Sequence, residues 1–518
     1  MKEIDLNLRN LDYILNQYSF NSITFLIFIS ISMGIVVDGC EMTLMALFLI
    51  PIKKFYNLSN LQLQLISSIL FIGFALGCYL NGYVLSKFRR RQIIINSYIA
   101  VFIFHTILSF VPNIIFFSIS RFFIGFFLGL IIPISLNSLG EFLPIKNRAF
   151  ILTSIWSFFS IGQGCNAIFM LIGMPNFEID NMKYVIFSLN ILIIVAFVLN
   201  DNFYIESPRY LLFKNENDDA FNFLNQMLIQ INEEKLSDEE KDNIINENNK
   251  HKDNELKQEN EYMILFSKKY FQTTILSIGI TFILSFLFYG ILLISTLTMK
   301  DFNSMNNPII KNNTISLNIN NTINDYINNT DKNIIKNLGN EQLNKTNNYK
   351  KILLSQIISA FISMFGCLIG GSLSEIQYFG RKKTTYYGFI ISCICLILIL
   401  LIGKDFFTEL YSIYLTSTIV SFNVYLTYIV EVYPTKVRDI SSGFLFGCLR
   451  IGGFISQFIY LSMNKIHFLF PYFFSFLMAL LGAFFTYKLP YETCNQPLDF
   501  SFDNEEKEND ENEKLINE

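Results

Sequence analysis

The 518-residue chain is short of charge: Asp, Glu, Lys and Arg make up only 16% of it, against 52% hydrophobic residues. Soluble domains of ordinary composition carry about 25%. The shortage is also uneven. Of the 82 charged residues, 52 fall in the stretches 1–20, 206–269, 299–351 and 491–518, so the other 353 positions hold only 30. A water-soluble surface cannot be covered with so little polar material, and the chain is expected to be an integral membrane protein. Histidine is scarce too, at three residues, and none of them has metal-ligand spacing. Seven of the eight cysteines lie inside apolar runs, which excludes a disulfide framework or a paired metal motif. No glycine-rich phosphate loop or nucleophile–base arrangement is present, so neither an enzyme nor a cofactor is expected. A net charge of −4 with an acidic tail argues against nucleic-acid binding. Residues 1–20 hold five charges and no cleavable signal pattern, so the first apolar run is expected to target the chain and stay.

What the chain has in quantity is long apolar runs. Twelve are long enough to cross about 30 Å of hydrocarbon, at 21–50, 62–86, 92–111, 114–139, 149–173, 184–204, 270–298, 352–376, 384–403, 407–430, 442–464 and 467–488. The fold class expected is therefore an all-α integral membrane protein of twelve transmembrane helices in two six-helix halves. The N-terminal bundle covers 21–204 and the C-terminal bundle 270–490. Around them lie an N-terminal segment 1–20, a polar linker 205–269 and an acidic tail 491–518. An Asn-rich loop, 299–351, falls inside the second half; its core, 303–348, holds 17 Asn and reads as disordered. The basic clusters Lys87–Arg91, Lys146/Arg148, Arg381–Lys383 and Lys436/Arg438 fall on one side, which the positive-inside rule makes cytoplasmic, together with both termini. The Asn-rich loop is then extracytoplasmic, and its sequons at Asn312, Asn320, Asn328 and Asn344 fit that side.

An internal repeat joins the halves. Glu141-Phe-Leu-Pro144-Ile-Lys146-Asn-Arg148 recurs as Glu431-Val-Tyr-Pro434-Thr-Lys436-Val-Arg438, offset by 290, and Ile161-Gly162 falls on Ile451-Gly452. Two such halves related by an axis along the membrane normal form a transporter architecture. With these features the chain resembles the major facilitator superfamily. Gly82, Ser86 and Arg89-Arg90-Arg91 approximate that superfamily's Gly…Asp-x-x-Gly-Arg-Lys/Arg loop, with Ser and Arg where Asp and Gly are usual. The second copy keeps Gly380-Arg381-Lys382, with Gln377 at the Asp position and Glu375 nearby. Glu206-Ser207-Pro208-Arg209-Tyr210-Leu211 and Leu489-Pro490-Tyr491-Glu492-Thr493 are similar to segments of sugar and organic-ion porters. Asp38-Gly-Cys-Glu41 looks like the Asp-x-x-Glu of the synaptic-vesicle-two-related branch. The biased composition and the layout also resemble those of apicomplexan pantothenate transporters.

Intramembrane charges cost about 2.5–3.5 kcal/mol each on insertion scales, so each needs a partner or a wet cavity. Asp38 and Glu41 are one helical turn apart on the first span. At 1.5 Å per residue, Glu41 and Arg121 of the fourth span both lie roughly 10–14 Å below the outer boundary. In related sugar–proton symporters a first-helix acid and a fourth-helix Arg form the coupling pair. By that resemblance Asp38 or Glu41 with Arg121 is the candidate for proton coupling; a static pair that fixes helix orientation is the competing account. Arg450, in the eleventh span, has no acid of matching depth in its own half and suits an anionic solute group, with packing against a helix end or a backbone carbonyl as the alternative. Gln163, Asn166, Tyr289, Gln356, Asn423 and Gln457 supply further candidate substrate contacts, with hydrogen bonding between helices as their alternative. Arg90, Glu141, Arg148, Arg381, Glu431 and Arg438 form candidate gating latches, or else simple positive-inside anchors. His105, alone in the third span, reads as a packing residue. Gly73-x₃-Gly77, Gly125-x₃-Gly129 and Gly443-x₃-Gly447 read as close helix contacts.

Taken together, these features imply a secondary active transporter of a small organic solute, by preference a proton-coupled organic anion such as pantothenate. It is expected to work as a monomer in the plasma membrane. Sugar or organic-cation porters are the alternatives, as is a transporter-shaped receptor or trafficking protein, which the long Asn-rich loop allows.

Overall fold

The computed structural model describes residues 11–18, 22–110, 113–144, 147–174, 181–230, 233–253, 265–306, 327–433 and 435–494. Residues 1–10, Lys146, Pro434, the sequons at Asn312 and Asn320, and the tail from 495 onward lie outside them. Among the described residues, twelve helices are long and apolar enough to cross a membrane. In order these spans are Ser22–Leu49, Asn60–Lys87, Arg90–Phe110, Ile114–Phe142, Arg148–Gly173, Met182–Phe203, Phe271–Met299, Lys350–Glu375, Gly380–Gly403, Phe406–Val432, Val437–Ile466 and Phe470–Tyr487. Among the described residues the remaining structure is helix and short connection.

Local chemistry sets where the spans begin and break. Ser59 opens the second in a capping box with Gln62, and Asn113 caps the fourth by accepting from the Ile115 N–H. The fifth breaks into Arg148–Ser154 and Ser157–Gly173. Helical hydrogen bonding runs on from the ninth span into the tenth, with a kink at Phe406 (φ −123°, ψ 27°). Two findings differ from the sequence reading. The linker after the sixth span carries helices Pro208–Phe213, Asn217–Gln230 and Asp238–Asp253. The helix containing the eighth span begins at Ile327, inside the Asn-rich segment; apolar patterning could not reveal it, because that stretch has none.

Within the first half the second span packs on the fourth, the first on the fifth and sixth, and the third on the fourth and sixth. The halves meet where the second span lies along the eleventh, the fifth along the eighth and the first along the seventh. Glycine sets the closest approaches. A Cβ on Gly73 would sit 2.0 Å from the Phe122 carbonyl oxygen, and one on Gly125 2.2 Å from that of Leu70. Gly162 meets the Val36 backbone of the first span as its repeat mate Gly452 meets Phe282 of the seventh, so the repeat extends into packing.

Candidate functional site

Two charge centres lie inside the bundle, both built on the first span. Asp38 and Glu41 are fully buried, as are Arg121 and Arg450. Glu41 Oε2 accepts from Arg121 Nη1 at 2.5 Å, and Arg121 Nη2 donates to the Glu41 carbonyl at 3.2 Å. Glu41 Oε1 lies 2.7 Å from His105 Nε2 of the third span. On its other side His105 Nδ1 is 2.9 Å from Asn190 Oδ1 of the sixth. This centre belongs entirely to the first half.

Asp38 turns the other way. Its Oδ2 accepts from Arg450 Nη2 of the second half at 3.2 Å. The Arg450 guanidinium also donates to the Tyr289 hydroxyl and lies 3.7 Å from the centre of the Phe74 ring, a cation–π placement. Two expectations are corrected here. Arg450 is not an unpaired cation, because its acid comes from the opposite half, some 400 residues earlier in the chain. His105 is not a bare packing residue, since it touches the acid of the other centre. Asp38 and Glu41 share one side of the helix yet point about 60° apart, enough to face different bundles.

Around these centres Tyr289, Gln457 and Arg121 wall a central space of about 10 Å³, roughly the room for one water molecule. Gln457 Nε2 reaches the Tyr289 carbonyl at 3.5 Å. The other candidate contacts sit elsewhere. Asn166 donates to the Cys40 carbonyl and to Thr43 of the first span, and Asn423 to Cys367 Sγ of the eighth. Gln356 donates to Ser295 and Tyr411 within the second half. Gln163 Nε2 is buried without a hydrogen-bond partner.

The face bearing the basic loops carries two related networks. Arg90 grips Glu141 bidentately at 2.8 and 3.1 Å, and Arg381 grips Glu431 at 3.0 Å through two nitrogens. Ser207 donates to Glu141 and Thr493 to Glu431, so the two post-span segments play matching parts. Glu206 accepts the Arg91 N–H, while Glu492 accepts those of Arg381 and Lys382. Burial pushes the Glu206 carboxyl above the usual carboxylate range, against the pull of the Arg91 N–H and Arg90. Gly380 adopts φ +60°, and a Cβ there would fall 2.5 Å from Glu492 Oε2, so the turn admits the carboxylate only as glycine.

Across the halves on that face, Arg90 Nη2 bonds Asp439 at 2.7 Å, and Asn137 donates to Asp439 and Ser442, each at 2.7 Å. Arg438, which the repeat pairs with Glu431, reaches Glu141 of the other half at 3.6 Å. Arg148 is buried in the first turn of the fifth span. Glu375 Oε1 accepts the Phe150 N–H of that same turn at 2.9 Å. The carboxylate at the helix end is therefore Glu375, not the side chain at the loop's usual Asp position, Gln377. On the opposite face Gln64 donates to Ser462 at 2.9 Å and to the Phe458 carbonyl at 3.2 Å. The described residues thus join the halves at both faces and at the centre. Asp439, Asn137, Asn190 and Gln64 escaped the sequence reading, and His105 reads there only as packing. Asp439 alone carried a signal, standing beside Arg438 in the repeat.

Residues 22–317, more than half the chain, match the model of the family "Sugar (and other) transporter". The chain belongs to that family. It is 24% identical over 492 residues to "Putative transporter SVOPL" of Danio rerio, covering 92% of this chain and 88% of that protein. It is 25% identical to the Synaptic vesicle 2-related protein of Xenopus laevis, covering 82% of this chain and 70% of that one. The solved proton:xylose symporter XylE superposes with a TM-score of 0.69 at 16% identity, covering 92% of this chain and 98% of its own. The fold is that of the major facilitator superfamily, and the protein is a multi-pass membrane transporter of a small solute. The likeness to apicomplexan pantothenate transporters finds no support in these relatives.

Proposed function

We propose that the protein is a proton-coupled secondary transporter that carries a small organic anion by alternating access, working as a monomer in the plasma membrane with its basic face in the cytoplasm. The observation that carries this reading is the Asp38–Arg450 pair, which bridges the halves at the centre of the bundle. Rocking the halves apart pulls a carboxylate off a buried guanidinium. An uncompensated charge in that position is costly; a carboxylate on the solute offsets it at Arg450, with Tyr289 and Gln457 beside it, while the freed Asp38 carboxylate is met by cavity water or a proton. In the other centre the Glu41–Arg121 contact supplies a carboxylate whose proton can be linked to the same motion. The Arg90–Glu141–Asp439 cluster, with Arg438 and Asn137, latches the cytoplasmic side, and the Arg381–Glu431 and Arg148 region anchors its counterpart. An organic cation is the second reading, because Asp38 Oδ1 is buried without a hydrogen-bond partner.

The test is uptake into proteoliposomes of radiolabelled pantothenate, xylose and tetraethylammonium, with and without an inward proton gradient. Carboxylate uptake stimulated by the gradient and reduced tenfold or more in Arg450→Gln is the expected result. Uptake of xylose or tetraethylammonium with none of the carboxylate would overturn the anion reading.

A further inference from the structure

The first half holds Arg450 by two unlike groups. Asp38 accepts from one of its nitrogens, and the Phe74 ring lies against the guanidinium itself, its centre 3.7 Å from the guanidinium carbon. Hydrogen-bond acceptors meet a guanidinium at its edges, where its five N–H groups point. An aromatic ring meets the cation through its negative π face and accepts no edge hydrogen bond. The two kinds of contact therefore do not compete. Tyr289 and Asp38 take edge donors, while Nε is buried without a hydrogen-bond partner, so a donor is left over for an incoming anion.

The second span is shaped to deliver that ring. Phe71 and Phe74 stand three residues apart, on one face of the helix. On the eleventh span Gly453 follows Arg450 by the same interval. A Cβ on Gly453 would fall 2.8 Å from the Phe71 ring, so this glycine makes room for Phe71 one turn away from the guanidinium. Phe71 also meets the Tyr289 ring edge-on, with 4.9 Å between centres. Arg450 and Tyr289, both of the second half, are thus each backed by a phenylalanine of the first. Phe74 is fully buried.

We infer that Phe74 is a positioning residue of the anion site: from the opposite half it holds the Arg450 guanidinium by its face and leaves the edges to the anionic group of the solute. The inference rests on the anion reading above and adds to it a residue that acts through Arg450. A second carboxylate could not take this part, because it would occupy an edge the solute needs and cancel the charge that attracts it. The π face takes neither charge nor proton, so Arg450 stays a cation with donors to spare. An aliphatic side chain of similar bulk would pack against the guanidinium without attracting it.

The test places phenylalanine, or its mono-, di- or trifluorinated analogue, at position 74 of the full-length protein by amber suppression. Fluorine drains the π face while ring shape and apolarity hardly change, so a ring that only packs is indifferent to it. The detergent-solubilised melting temperature should fall stepwise along the series. It should stay level in the Asp38→Leu/Arg450→Leu protein, where no cation faces the ring. A flat series in the protein that keeps Arg450, or an equal fall without Arg450, overturns the inference. In proteoliposomes the KM for radiolabelled pantothenate should rise in the same order, by about tenfold across the series. A stability trend with KM unmoved also overturns the positioning role. No pantothenate uptake by the unfluorinated protein, with the stability trend present, counts against the anion reading and leaves the hold of Phe74 on Arg450 standing.

Discussion

Asp38 and Arg450 set the terms at the scale of single residues. Removing one partner leaves the other charged, buried and uncompensated, a penalty of about 3–5 kcal/mol. Asp38→Leu and Arg450→Leu should therefore each lower the detergent-solubilised melting temperature markedly. The double variant should be more stable than the sum of the two losses allows, since apolar replacement of a buried pair is often neutral. Additive losses in that cycle would mean that the pair is not coupled. Glu41→Ala is expected to cost a similar amount, because Arg121 would be stranded among apolar walls; the same thermal scan measures it. The sequence made Glu41 and Arg121 legible as a matched depth. Their neighbour His105 was not legible, because an isolated histidine in an apolar run has no spacing to give it away.

Helix packing belongs to the element scale. The second and fourth spans cross with Gly73 and Gly125 against each other's backbones, and a carbonyl oxygen cannot retreat as a side chain can. Gly73→Ala and Gly125→Ala should destabilise by about 1–3 kcal/mol through overpacking and reduce the yield of monodisperse protein. Gly164→Ala is the control: its Cβ would meet Ala360 at 3.5 Å, an ordinary contact, and thermal stability should hardly change. The small-x₃-small spacing announced these contacts, and they are in the structure. The Glu375 cap on the fifth span and the Glu492 seat over Gly380 were harder to read. Each depends on a carboxylate brought to backbone N–H groups by a turn, which linear spacing does not encode.

The proposed alternating access is a property of the whole molecule, and its energetics would lie in the contacts between halves. The Arg90–Asp439 and Asn137–Asp439 bonds tie the basic face, whereas the opposite face is tied at Gln64 and Ser462. Asp439→Asn should loosen the first tie and not the second. Hydrogen–deuterium exchange should then rise over 137–154 and 437–445 and stay level over 60–66. A uniform rise across both faces would point instead to general destabilisation.

Apolar run length and the exclusion of charge from those runs determined that the chain is membranous with twelve spans. The Glu-x-x-Pro-x-Lys-x-Arg repeat determined its two related halves. These features are local, because a helix must satisfy its own backbone in lipid wherever it sits. The tertiary structure alone decided which acid meets which arginine. A helix carries Asp38 and Glu41 only a turn apart, and a small rotation about its axis hands one to the opposite half and keeps the other at home. Such rotation is set by the packing of all the neighbouring spans at once, so the pairing of these buried charges has no signature along the chain.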